Sequence, residues 1–393
     1  MPLSVSSLTT ASLFILCMKI LIAPDKFRGS LSAEEVIAAV IVGLEKLTTP
    51  FAILTQPMAD GGEQTAEILA KNTGGFSRTI TVNDPLFRPI KATYFIAGDG
   101  KTAFIEIAAA SGLSLLKLAE CNPLQTSTFG TGELILDAIE FGVEQILLCI
   151  GGSATNDAGI GMAAALGYRF LDENGLELAP IGSNLARIFQ IDSQSVHPKL
   201  AQIDFEIACD VINPLHGSNG AAHVFAKQKG ASEADILALD AGLNHFAAVV
   251  FNQFGIQLQN IAGAGAAGGL GGGSFIFLNA TLEKGIQLVI NHLGLEAIIE
   301  EVDLIITGEG KLDQQTLAGK VIQGLVLMAQ KHKKPIIAFC GTLELDYATI
   351  KKSGLTAVFS ITNAPMSLEN AQANAKTLLA DTVANVMEIY CRP

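Results

Sequence analysis

The strongest constraint on this chain is a grammar written at both of its ends: short β-branched apolar runs, each stopped by a polar turn and followed by a helix-length segment. Near the start, Lys19 to Ala23 ends at Pro24 and Asp25, and LSAEEVIAAVIVGLEKL follows with Ser32 and Glu35 spaced as a capping box. FAILTQPMAD then runs through two glycines into the helical EQTAEILAKN. Towards the other end the pattern returns in VDLIITGEG, KPIIAFCG and TAVFSIT. Strands this apolar, alternating with helices, belong in an open parallel sheet covered by those helices, which predicts an α/β fold. Because the five runs come from opposite ends, residues 18–75 and 290–393 are expected to form one discontinuous domain, with 76–289 inserted as a second.

The insert reads differently. RTITVNDPLFRPIKATYFIAG and KTAFIEIAAASGL alternate in the strand period between Gly and Pro turns, and QILLCIGG reads as a buried strand, so a mixed sheet is expected there. The length of 393 residues also favours two cores over one. Those cores must be aliphatic, since 49% of the chain is apolar while aromatics supply only 6% and tryptophan none.

Charge narrows the partners. With 25 basic and 38 acidic residues the net charge is −13, a field that repels phosphate backbones and anionic lipid heads. Neither nucleic acid nor a membrane surface is expected as a partner; the oligomeric state stays open, a homo-oligomer included. The six cysteines show no metal-ligand spacing, and Cys149 and Cys340 fall within strand runs as inert thiols, so a reducing, cytoplasmic compartment is expected. Residues 1–17 carry an apolar patch without a basic n-region or cleavage site, and we expect a disordered extension or the product of a start codon upstream of Met18.

Open α/β sheets bind ligands at the carboxyl ends of their strands, and here those ends are charged: Asp25 with Lys26 and Arg28, Asp60 with Glu63, and Glu309 with Lys311 and Asp313. Each carboxylate alone reads first as a turn cap, but several on one sheet edge need a cation to answer them. GGSATND, from Gly151 to Asp157, lies between a strand and a helix. Its amides and the helix amino end make a candidate anion cradle to which Ser153 and Thr155 add hydroxyls; a glycine turn needed only for its geometry is the alternative. TSTFGTGELI repeats the arrangement with Thr131 and Gly132. There is no GxxxxGK[ST] loop, protein-kinase signature or HExxH, and the six histidines lie outside any nucleophile motif. Gly263, Gly265 and Gly268 match a dinucleotide pattern without a convincing strand before it, which leaves a mobile or close-packed loop.

The blocks IAPDKFRGSLSAEE, MADGGEQT, GTGELI, GGSATNDAGIGMAAALG, CDVINPLHGSNGAAHVFAKQKGA, GAGAAGGLGGG and ITGEGKLDQQTLAGK, in this order, resemble the signature of type I glycerate kinases from Met18 to the last helix. The resemblance implies two α/β domains, one flavodoxin-like and one inserted, with the active site in the cleft between them. It also implies ATP, the divalent cation Mg2+, and glycerate as acceptor, with 2-phosphoglycerate from D-glycerate favoured as product. Under it, the phosphate cradle falls to Gly132, Gly151, Gly152, Ser153 and Thr155. Metal or base roles fall to Asp60, Asp157, Asp210 and Asp313, with Asp60 and Asp313 as the metal ligands, and the glycerate carboxylate to Lys26 and Arg28 with Ser30. The chain departs from the family pattern at Lys26 and Arg28, where Ser and Lys are usual, and at Gln64, where Gly is usual. A glutamine there is awkward if the backbone needs positive φ. A non-catalytic sensor on the same scaffold, or a kinase for another small hydroxy acid, is the alternative.

Overall fold

The computed structural model describes residues 17–59, 61–62, 64–314, 316 and 320–391. Of the extension expected at 1–17, residues 1–16 lie outside the described residues, as do the candidate residues Asp60 and Glu63, while Cys17 is described, its Sγ donating to Pro50 O (3.2 Å).

The chain opens with β1 (Met18–Ile22), α1 (Ala33–Leu44), β2 (Phe51–Thr55) and α2 (Thr65–Asn72). There follow β3 (Phe76–Asn83), β4 (Pro89–Ile96), β5 (Thr102–Glu106), the short α3 (Ala108–Ser111), α4 (Phe129–Phe141) and β6 (Gln145–Cys149). Next come α5 (Ile160–Ala165), β7 (Arg169–Leu171), β8 (Gln190–Asp192), β9 (Asp204–Ala208), α6 (Glu233–Phe254) and α7 (Ala266–Leu278). β10 (Thr281–Glu283), α8 (Gly285–His292) and α9 (Leu295–Glu301) lead into β11 (Leu304–Leu312), α10 (Val321–Lys331) and β12 (Ile336–Leu343). The chain closes with α11 (Tyr347–Ser353), β13 (Ala357–Ser360), α12 (Leu368–Ala373) and α13 (Ala375–Tyr390). Contacts gather these elements into two compact units, Met1–Pro57 with Ala297–Asp313 and Val326–Pro393, and Met58–Glu296 with Gln314–Leu325.

The first unit holds a five-stranded sheet in the order β13-β12-β11-β1-β2, parallel throughout. Read from the other edge this is the 2-1-3-4-5 order of flavodoxin-like folds, with the last three strands supplied from the far end of the chain; its switch point lies between β1 and β11. Ile20, Ile22, Leu304, Ile306, Ile337 and Phe339 pack with Val36, Val40 and Leu44 of α1 and Leu379, Val383 and Met387 of α13. Burying each large aliphatic side chain of this kind stabilises the fold by about 1.5–3 kcal/mol. α1 starts where the sequence predicts, with Ser32 Oγ accepting from Glu35 N and Glu35 Oε2 accepting from Ser32 N.

The second unit holds a six-stranded sheet in the order β10-β9-β6-β5-β4-β3, mixed as expected: β10, β9, β6 and β5 run parallel, and β4 and β3 antiparallel. Ile105, Ile146, Leu148 and Ile207 pack against Leu134, Ile135 and Ala138 of α4. A further cluster gathers around α6, where Ile236, Leu239, Leu243, Phe246 and Val250 meet Phe170, Leu185, Leu215 and Phe277. By length and composition α6 could cross a membrane, but those five side chains are spent in this core.

Residues 58–75, expected in the first domain, lie with the second unit. Glu106 Oε1 accepts from Ala66 N in the first turn of α2, and Gly75 passes so close to β4 that a Cβ there would lie 2.1 Å from Ile96 O. β2 is an edge strand, so no further strand of the first sheet holds the chain that leaves it.

Candidate active site

In the first unit the charged residues collect at the switch point, where an open parallel sheet leaves a crevice. Asp25 N donates to Gly308 O (2.9 Å), tying the end of β1 to β11. Phe27 and Leu31 then exchange backbone hydrogen bonds across a tight turn, with Gly29 at φ 79 near its tip. This turn leaves Arg28 exposed and Lys26 half-buried, while Ser30 Oγ turns back to Phe27 O (3.4 Å). Among the described residues neither Lys26 Nζ nor the Arg28 guanidinium has an ion-pair partner. On β11, Glu309 and Lys311 alternate onto one face and Asp313 continues the series just beyond the strand. Gly308 and Gly310 leave room for the turn: a Cβ on Gly310 would lie 3.1 Å from Arg28 N. Lys311 pairs with Glu344 (2.8 Å) and approaches Asp313 (3.6 Å). Cys340, opposite Glu309 in register, is buried, and desolvation pushes its thiol up to about 12, which makes it inert as expected.

In the second unit the parallel strands β5, β6 and β9 deliver Glu106, the Gly151–Asp157 loop and Asp210 at one edge. Asp210 is exposed and its Oδ1 accepts from Gly285 N (2.9 Å) at the start of α8. Gly61 fits tightly here, where a Cβ would lie 2.7 Å from Gly285 Cα, and Gly62 Cα lies 3.6 Å from where a Cβ on Gly151 would stand. Gly61 and Gly62 are therefore at the ends of β9 and β6. A cavity of about 230 Å³ lined by Ala66, Thr93, Phe95, Glu106, Ala108 and Ser114 offers a carboxylate and no cation, which does not suit an anionic substrate.

Gly151 and Gly152 are exposed, with Gly152 at φ 75, and from Ser153 onwards the loop turns inward. Gly152 O accepts from Leu113 N, Ala154 N donates to Ser111 O, and Thr126 Oγ1 donates to Ala154 O. Thr155, Asn156 and Asp157 are fully buried. The glycine-rich run presses on their backbone: a Cβ on Gly268 would lie 2.0 Å from Thr155 O, and one on Gly273 would lie 2.2 Å from Ala158 O. The run is close-packed, but from Ala266 it belongs to α7, kinked at Ala267–Gly269, and not to the loop expected. Ala158 and Ala267, at φ 52 and 51, adopt the left-handed conformation where the two segments meet, and Ala158 N donates to Gly268 O.

Asp157 departs most from expectation. Its Oδ2 accepts from Thr128 N, Thr128 Oγ1 and Gly161 N, and its Oδ1 from Gly159 N. Burial pushes this carboxyl up while the four donors hold it down, and the amides at the start of α5 that were expected to face an anion are filled by the chain's own carboxylate. Thr155, fully buried, and Gly132, where a Cβ would lie 2.3 Å from Met162 O of α5, also lie in the interior. Gly151 and Gly152 are the part of the loop left at the surface, with the buried Ser153 directly after them.

The residue that sequence reasoning missed is Lys229. A π-helical turn at Ala222–Ala226 tightens into a 3-10 turn at Lys227–Lys229, closed by Gly230 at φ 94, and this irregular segment carries the lysine inward to 2% exposure. Its Nζ donates to Ser153 Oγ and Thr155 O, both at 2.7 Å. Burial pulls the ammonium down to about 7, against the attraction of Asp157. Nothing in AAHVFAKQKGA distinguishes it from a surface lysine.

A profile of the glycerate kinase family matches residues 20–391 of this chain. The chain is 44% identical over 354 residues to glycerate 2-kinase of Escherichia coli (strain K12), spanning 90% of this chain and 93% of that protein. It is 42% identical over 367 residues to glycerate kinase of Halalkalibacterium halodurans, spanning 93% and 97%. The crystal structure assigned to glycerate kinase 2 of Salmonella typhimurium LT2 matches with a TM-score of 0.86 at 41% identity, covering 95% of this chain and 98% of that one.

Proposed function

This chain belongs to the glycerate kinase family, and we propose on that footing that it transfers the γ-phosphoryl group of ATP to a hydroxyl of D-glycerate, giving 2-phosphoglycerate. The observation that carries the substrate assignment is the turn after β1, which presents Lys26 and Arg28 beside Gly308 and Gly310 of β11 at the switch point of a parallel sheet. A small hydroxy acid needs a cation for its carboxylate, and the planar fork of Arg28 suits one bidentately. Ser30 adds a hydroxyl in the same turn. Gly151, Gly152 and Ser153 take phosphate oxygens.

Phosphoryl transfer asks mainly for positioning and charge neutralisation. The donors at the first sheet edge, Asp25, Glu309 and Asp313, are all carboxylates, the donor type that suits Mg2+. Asp313 would hold the ion, and bound Mg2+ would neutralise charge on the transferring phosphate. Asp313 also orients the weakly acidic acceptor hydroxyl as its charge develops. Asp210, already accepting from Gly285 N, steadies the second edge, and Asp157 shapes the loop above it.

The test is a coupled assay of ADP release with glycerate, lactate, glycerol and tartrate, with and without Mg2+. Release confined to glycerate with Mg2+ supports the assignment; release with tartrate or lactate alone reassigns the acceptor, and none with any of the four leaves a non-catalytic binding protein.

A further inference from the structure

We propose that Lys229 is the buried cation of an anion site at Gly151–Ser153, acting on a bound phosphoryl group through the Ser153 hydroxyl. The inference rests on the reading above that this loop takes phosphate. A hydroxyl has one proton to donate and two lone pairs. Ser153 Oγ accepts from Lys229 Nζ, and among the described residues it donates to nothing, so its proton is left for an acceptor on the outer side. Ser153 is only 7% exposed, but the exposed Gly151 and Gly152 precede it directly, which places the relay Nζ–H to Oγ–H at the rim of the loop.

Charge points the same way. An ammonium removed from water is costly to keep unless an anion answers it. The charged groups around Lys229 are Asp157, on the loop before α5, and on its own side of the molecule Lys227 and Glu233, which are exposed and lie 3.5 Å apart. Asp157 already accepts four hydrogen bonds from its own chain, and among the described residues no carboxylate lies within 4.0 Å of Lys229 Nζ. Two neutral oxygens hold the ammonium, and a phosphoryl oxyanion beyond Ser153 supplies the missing charge. Lys229 is thus a positioning residue, and its effect depends on its proton.

The readout is proton linkage. Burial leaves the Lys229 ammonium near 7, so at pH 8 it is mostly neutral, and an anion bound through Ser153 must draw a proton onto it. We would titrate the full chain at pH 8 by calorimetry in two buffers of different ionisation enthalpy, with ADP in one arm and 2-phosphoglycerate in the other. The wild type should take up most of one proton per phosphoryl ligand bound. Lys229→Met should bind about tenfold more weakly, the scale of one charge-assisted hydrogen bond, and take up none. Should Lys229→Met fail to fold, Ser153→Ala decides, because it should lose affinity and most of the uptake. An effect in the ADP arm alone places the nucleotide phosphate at the loop, and one in the 2-phosphoglycerate arm alone places the product phosphate there; either supports the relay. Binding without proton uptake in the wild type, or unchanged affinity and uptake in Lys229→Met, overturns it. Gly152→Val separates the two readings: if it abolishes binding while Lys229→Met leaves affinity and proton uptake unchanged, only the lysine assignment falls, and if neither variant alters binding, the loop assignment falls as well.

Discussion

Gln64 stands at φ 74 just before α2, with no side-chain cap bond, in a backbone conformation where an L side chain is strained and glycine is not. Gln64→Gly should stabilise the protein by about 0.5–1 kcal/mol, the relief being partly offset by the larger entropy glycine brings to the unfolded chain. Thermal melts check this, and an unchanged or lower Tm would mean that the glutamine has compensating contacts. Lys229 makes a different residue-scale claim, about pH. Its folded pKa, near 7, lies below the ordinary lysine value, so between about pH 7 and 10 the unfolded chain holds the extra proton. The penalty of burying its charge is therefore full below pH 7 and fades as pH rises towards 10. Urea unfolding of Lys229→Met against wild type should show a stability difference that favours Met by on the order of 2 kcal/mol more at pH 6 than at pH 9. A difference independent of pH would mean that the lysine is charged throughout.

At the scale of elements, glycine serves close approach more often than ligand binding. Gly132 lies inside α4 where α5 crosses it, with Met162 O only 2.3 Å from where a Cβ would stand. Gly132→Ala should destabilise the second unit by about 1–3 kcal/mol through overpacking, while kcat and the KM for ATP of the folded enzyme stay normal. A raised KM for ATP at an unchanged Tm would restore the phosphate role that the sequence suggested. The strands and helix starts were legible because their signals are local: β-branched runs ending in Asp or Gly, and Ser32 with Glu35 three residues on. GTGELI and GGSATND were legible as turns and helix starts but not as interior or surface. What buries Gly132, Thr155 and Asp157 is the neighbouring helix or the glycine-rich run, elements 30 to more than 100 residues away in sequence. Lys229 was invisible for the same reason, since one lysine in an alanine-rich stretch carries no sign of the irregular turn that aims it inward.

On the scale of the whole molecule, the parallel sheet assembled from both ends of the chain was readable in advance, while the placement of 58–75 was not, because helix α2 carries the same apolar pattern whichever sheet it covers. The roles proposed for the two sheet edges make separate predictions. Arg28→Ala should raise the KM for glycerate more than that for ATP, because a carboxylate contact is made in the ground state as well as in the transition state. Asp313→Asn should lower kcat by about two orders of magnitude with little change in Tm, as for a positioned base or charge partner. Weakened ATP binding alone in Arg28→Ala, or near-normal kcat in Asp313→Asn, would exchange or remove those roles. The most direct measurement of the central claim is phosphorus NMR of the full chain incubated with ATP, Mg2+ and D-glycerate. The account predicts that the γ-phosphate signal is replaced by that of 2-phosphoglycerate in equal amount with ADP, and only when glycerate is present. ATP that persists unchanged, or ADP formed with inorganic phosphate alone, would contradict it.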